Sequence, residues 1–236
     1  MTDVLYFSKL YDQDLLPVTC KLKDIDLTRA TVAQITKHMN DFVLCLMDSW
    51  YGPVEDSGFY MPRPSVTVYS DTIITACGQS WDHNAFYCLA DQQIYFAQNL
   101  VELYPDSWRT QRFLGEAIMA HEFGHAIQFR TQILSSINTL EYIQVTEEDA
   151  WELNRRMELQ ADCLAGVFMN SISTSVGITE GDVSNIRSYF EHLGSDFLYM
   201  DDHGAGVNRS WWSGRGLATT HVGDCNTYNA PPEIVG

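Results

Sequence analysis

Between Phe113 and Phe129 the chain is dominated by apolar residues, yet His121-Glu-Phe-Gly-His125 sits in the middle of that run. An apolar helix carries such groups in its interior only where another element, or an ion, satisfies them. The fold must therefore set this helix against a second polar element. At about 100° per residue, His121 and His125 lie about 40° apart on one face, with Glu122 beside them. Two imidazoles one turn apart reach a single cation, and the neighbouring carboxylate points at whatever that cation holds. His121 and His125 are thus candidate metal ligands and Glu122 a candidate general base. Phe113, Ala117, Ala120, Gly124 and Ile127 form a separate packing stripe. Leu114, Ile118 and Phe129 share the metal side and are expected to wall the site. The bland alternative, a partly exposed helix without metal, leaves three polar groups unexplained.

A catalytic zinc takes three protein ligands and keeps one position for water. Glu158 and Asp162, in Met157-Glu-Leu-Gln-Ala-Asp162, fall on one face of a second helix among Trp151, Ala165 and Met169. Carboxylates in an apolar stripe need partners, and a metal plus a ligand's ring N–H would supply them. Glu158 is accordingly the candidate third ligand, and Asp162 the candidate acceptor from a ligating histidine. The competing explanation pairs Glu158 with Arg155. Glu147 and Glu148 suit a helix start. Glu152 has Arg156 four residues on. Glu141 has no second carboxylate at a helical interval.

The organisation around these helices reads as α+β, with strands first and helices after. A helix is expected over 28–50, stopped by Gly52 and Pro53, then a loop to Pro64. Ser65–Tyr69 and Gln93–Ala97 read as strands. Helices follow over 111–134, 147–171 and 182–193, the last capped by Thr179. The glycine-rich tail from Asp201 reads as an ordered loop that buries its tryptophans. One domain over 1–236 is expected, with an N-terminal region 1–75 and a core 76–228. No apolar run approaches a membrane span. With 14 Lys+Arg against 31 Asp+Glu, the net charge of −17 excludes the basic patch that nucleic acid requires. The first ten residues lack a basic segment followed by an apolar one. The chain is therefore either cytosolic or a mature domain without its signal. Six separate cysteines, Cys20, Cys45, Cys77, Cys88, Cys163 and Cys225, contain no Cys-x-x-Cys and fit three disulfides better than a thiolate metal site. Spacing alone leaves fifteen connectivities open and favours only 77/88.

Several blocks also resemble a known family. Ala76-Cys-Gly78, Phe86-Tyr-Cys-Leu-Ala-Asp91, Ile94-Tyr95, His121-Glu-Phe-Gly-His125 with Gln128, and Glu158-Leu-Gln-Ala-Asp-Cys-Leu-Ala-Gly166 appear in order. Gly181-Asp182, His203-Gly204, Arg209, Trp212 and Asp224-Cys-Asn-Thr227 follow. Together they resemble the bacterial putative neutral zinc metallopeptidase family, and Cys20, Cys45 and Trp50 resemble the N-terminal part of its secreted actinobacterial members. Ala126, Ala205 and Asn208-Arg209 depart from the family pattern. The resemblance implies a zincin-like fold, Zn2+ on His121, His125 and Glu158, disulfides 20/45, 77/88 and 163/225, and extracytoplasmic placement. The activity it implies is a zinc-dependent endopeptidase acting on a peptide or protein substrate, with Glu122 as base. His203, in a glycine-rich loop, is the candidate oxyanion donor, with Tyr199 as the alternative. Gln93–Ala97 is the candidate edge strand for the substrate backbone. His38, His83, His192 and His221 are expected to be structural or solvated. Asp182, Asp201, Asp202 and Asp224 lie near glycines but match no calcium loop. The alternative function is an inactive zincin-fold scaffold that keeps its zinc.

Overall fold

A computed structural model describes residues 2–143, 146–198 and 203–236. Tyr199, Asp201 and Asp202, named above as a donor and as acids near glycines, lie outside the described residues. Helix α1 (Thr2–Phe7) precedes α2 (Val32–Asp56), which opens on a capping box between Thr31 and Gln34. The expected stop at Gly52 and Pro53 is overturned: α2 continues through both to Asp56. Proline removes one N–H there, but Val54 beyond it is fully buried and ties the last turn to the core. The Ser57 hydroxyl then donates to the Pro53 carbonyl at 2.7 Å.

Strands β1 (Ser65–Tyr69) and β5 (Gln93–Ala97) pair in parallel over the expected residues. The loop between them holds a hairpin, β2 (Ile73–Thr75) with β3 (Gly78–Ser80), and a strand β4 (Ala85–Cys88) antiparallel to β5. The sheet order is β1-β5-β4. Gln93–Ala97 is therefore the central strand, bonded on both sides, and cannot offer a free edge to a substrate. Strands β1 and β4 are the edges of the sheet.

The expected helix over 111–134 is two helices, α3 (Leu114–Arg130) and α4 (Ile133–Ile143). Left-handed backbone at Phe113 (φ 64°) and Gln132 (φ 66°) marks the boundaries. Helix α5 (Glu147–Val176) starts at Thr146 and ends on Gly177, whose φ of 67° suits glycine. Helix α6 (Glu180–His192) has Thr179 as its cap, as expected, and α7 (Ser195–Leu198) follows. The tail is not a loop: Gly206–Leu217 forms α8. Its glycines are points of close approach. A Cβ on Gly216 would meet the Cys163 carbonyl, and one on Gly166 would meet the Ser213 carbonyl. Trp212 is buried and donates from Nε1 to the Ile234 carbonyl, whereas Trp211 is 40% exposed.

The class is α+β, and one hydrophobic cluster runs from Leu5 to Val235 across the helices and the sheet. Disulfides join Cys20 to Cys45, Cys77 to Cys88 and Cys163 to Cys225. Cys77–Cys88 staples the hairpin to β4, and Cys163–Cys225 ties α5 to the C-terminal segment.

Candidate metal centre

Helix α3 is buried on nearly all sides, so its polar groups do not define a wet face. It meets α5 where a Cβ on Gly124 would stand 3.3 Å from Ala161. That close crossing sets Glu158 opposite the two histidines. His121 Nε2 and His125 Nε2 lie 3.1 Å apart, and Glu158 Oε2 lies 3.2 Å and 3.5 Å from them. Ligands at zinc bond lengths in a tetrahedron are separated by about 3.3 Å. Glu158 Oε2 is buried and accepts no hydrogen bond from the described residues. A buried carboxylate oxygen facing two imidazole nitrogens fits a cation.

Two hydrogen-bond chains orient the imidazoles. His121 Nδ1 meets Asp162 Oδ1 at 2.8 Å, and Arg209 donates to both Asp162 oxygens at 2.8 Å. Arg209 also donates to the Leu193 carbonyl at 2.9 Å. On the other side, His125 Nδ1 meets Gln128 Oε1 at 2.8 Å. Gln128 donates to the Met157 carbonyl and to Gln160, which in turn donates to Tyr11 Oη and the Cys225 carbonyl. With both Nδ1 atoms occupied, each ring presents Nε2 to the centre.

Electrostatics follow from burial and these pairs. Burial raises the Glu122 pKa, opposed by the neighbouring histidines. Burial would also raise Asp162, but Arg209 outweighs it and holds the carboxyl below its ordinary value. Glu158 is likewise held well below its ordinary value against burial, by His125 and His203. Burial would lower His121, yet its bond to Asp162 and the facing Glu158 carboxylate push it to about 10.

The centre opens into a cleft of about 670 Å³. Phe86, Tyr87, Leu89, Leu103, Leu134 and Met157 supply its apolar walls. The expected walls Leu114, Ile118 and Phe129 do not line it. A helical wheel gives direction but not height, and Leu114 stands about 10 Å along the axis from His121 at 1.5 Å per residue. Trp151 also departs from expectation, being 42% exposed near the start of α5. His203 lines the cleft, with Nε2 3.9 Å from Glu158 Oε2. So does His83, which the sequence offers no reason to place there; it lies 3.1 Å from Glu102 and 3.2 Å from Asp82. His38 is buried against Glu116 at 2.6 Å, and His192 and His221 bond the Leu103 carbonyl and Asp14. Arg155, the alternative partner for Glu158, reaches Glu148 at 2.6 Å, and Glu152 pairs with Arg156. Asp182 is taken up by Thr179 and Arg112, and Asp224 by Arg215 and Thr219.

A buried helix with two histidines one turn apart, a glutamate from the next long helix, and a small sheet beside them define a zincin-like metallopeptidase domain. The chain belongs to the family described as "Putative neutral zinc metallopeptidase", whose profile matches residues 10–228. It is 27% identical over 193 residues to YpfJ of Escherichia coli strain K12, named as uncharacterized, covering 77% of this chain and 67% of that one. It is 26% identical over 191 residues to the uncharacterized protein Rv2575 of Mycobacterium tuberculosis H37Rv, covering 71% of this chain and 63% of the relative. No solved structure matches the chain. The family implies zinc, and the His121, His125 and Glu158 group is compatible with it. Among the described residues no helix is long and apolar enough to cross a membrane.

Proposed function

We propose that this protein is a zinc-dependent endopeptidase whose single domain, stapled by three disulfides, works outside the cytoplasm. The observation that carries the reading is the meeting of His121 Nε2, His125 Nε2 and Glu158 Oε2 in a cleft that also holds Glu122. His121, His125 and Glu158 are the metal ligands in this reading. When bound there, zinc supplies a Lewis acid that polarises a carbonyl and lowers the pKa of water toward about 7.

The chain's own groups do the rest. Glu122 takes the proton of the attacking water at Oε1, because Oε2 already accepts the Tyr87 N–H at 2.8 Å. The same carboxyl returns that proton to the leaving amine. His203, at the cleft wall, donates to the oxyanion as the carbonyl becomes tetrahedral. Asp162 and Arg209 keep His121 in one orientation, and Gln128 does so for His125. The free edge of β4 receives the extended substrate backbone, and the apolar walls exclude water from the charges.

The test uses unfolded casein with purified protein. Hydrolysis by wild type should stop with chelator and return with zinc. Glu122→Gln should retain about one zinc per chain and lose at least 100-fold in rate, as removal of a general base does. An inactive, zinc-loaded wild type would instead leave a scaffold.

A further inference from the structure

Strand β4 is an edge strand, and an antiparallel edge turns the N–H and C=O of alternate residues away from its neighbour. The Asn84 carbonyl accepts from Ala97 N–H, and the Cys88 carbonyl from Gln92 N–H, so the even-numbered positions face inward. Ala85 and Tyr87 therefore direct their backbone groups to the open side. The Tyr87 N–H does not meet solvent: it donates to Glu122 Oε2 at 2.8 Å. Glu122 is 6% exposed, so this bond fixes a carboxylate that has little water to share.

We propose that the backbone N–H of Tyr87 is a positioning group for Glu122. The inference rests on the peptidase reading for its catalytic consequence, but its geometric core does not. An N–H to a carboxylate is a charge-assisted bond with a defined direction. It holds Oε2 in one place and leaves Oε1 to face the reacting water. The strand thus sets the aim of the base. A base misplaced by about 1 Å can cost about 100-fold in rate. The Tyr87 side chain is a separate matter; its ring packs beside Phe129 at 6.2 Å between centroids.

Proline removes the N–H and is tolerated on an edge strand where that N–H points outward. Tyr87→Pro should lower kcat about 10–100-fold with KM within threefold and with zinc content unchanged. Tyr87→Ala removes the same ring but keeps the N–H, so the kcat of Tyr87→Pro should fall at least tenfold below that of Tyr87→Ala, separating backbone from ring. Amide hydrogen exchange gives the second reading, without turnover or added metal. In wild type the Tyr87 amide should exchange at least tenfold more slowly than the Ala85 amide, and Glu122→Ala should abolish that difference. Equal exchange at both amides in wild type, or a Tyr87→Pro kcat like that of Tyr87→Ala, overturns the proposal. Failure of the wild type to hydrolyse casein would sink the peptidase reading, and the exchange comparison would still decide the positioning.

Discussion

Glu158 is the residue on which the proposed centre turns, because its Oε2 has neither a donor among the described residues nor solvent. Glu158→Ala should lose most bound zinc in competition with a chelator, along with all hydrolysis. Glu152→Ala, which removes only the ion pair to Arg156, should keep both. Asp162→Ala should weaken zinc by about 10–100-fold without emptying the site at saturating metal. Full zinc retention by Glu158→Ala would remove it from the ligand set. The residues at one-turn intervals are legible in the sequence: His121 with His125, and Glu158 with Asp162, share faces by helical arithmetic alone. Arg209 was not legible in its role. It follows Asp162 by 47 residues and reaches it from another helix, which no local periodicity encodes. Gln160 and the Tyr87 N–H were silent for the same reason, since one lies in a chain that ends at Tyr11 and the other is backbone.

At the scale of elements, legibility divided along a physical line. Strands β1 and β5 were read at their true bounds because short β-branched and aromatic runs between turn signals have few other uses. Their order in the sheet is not encoded locally, so the sequence does not reveal that Gln93–Ala97 is the central strand and offers no free edge. Helix α8 is not legible because its three glycines, Gly206, Gly214 and Gly216, carry the same letters as a loop. In the structure Gly216 lets α8 approach α5 backbone to backbone, while Gly206 and Gly214 lie against Glu191 and Arg187 of α6. Gly216→Ala should therefore destabilise by about 1–3 kcal/mol through overpacking, despite the roughly 1 kcal/mol that alanine gains in helix propensity. Because α8 carries Arg209, the same change should loosen zinc binding. Gly181→Ala, where an added Cβ meets only the Thr179 hydroxyl at 3.6 Å, should leave zinc affinity unchanged. Denaturant unfolding and chelator competition on the two variants separate these outcomes. Equal stability in both would show that the α5–α8 crossing has room to spare.

For the whole molecule, the disulfides connect regions that the sequence presents as distant. A thiol count on unfolded, unreduced protein should find none, given the three pairs and no free cysteine among the described residues. In the chain-entropy view a longer loop contributes more. Removing Cys163–Cys225, with a separation of 62, should cost about 4 kcal/mol, against about 3 kcal/mol for Cys77–Cys88, with a separation of 11. Urea midpoints of the paired serine variants test that order. The longer bridge also stands next to the centre, since Gln160 donates to the Cys225 carbonyl while bonding Gln128. Its loss should weaken zinc as well as stability, and loss of the hairpin bridge should leave zinc binding largely intact.

The 47 residues between Asp162 and Arg209 are also an interval of time. A ribosome adding about 5–20 residues per second releases Asp162 roughly 2–9 s before Arg209, and the two histidines roughly 4–18 s before it. The bridge from Cys163 closes later still, once Cys225 has emerged. A growing chain thus holds its proposed metal ligands for seconds without the Arg209 contact that fixes Asp162 against His121. Working as proposed, the centre tightens only when the late segment docks, so the making of the protein is itself shielded from its activity.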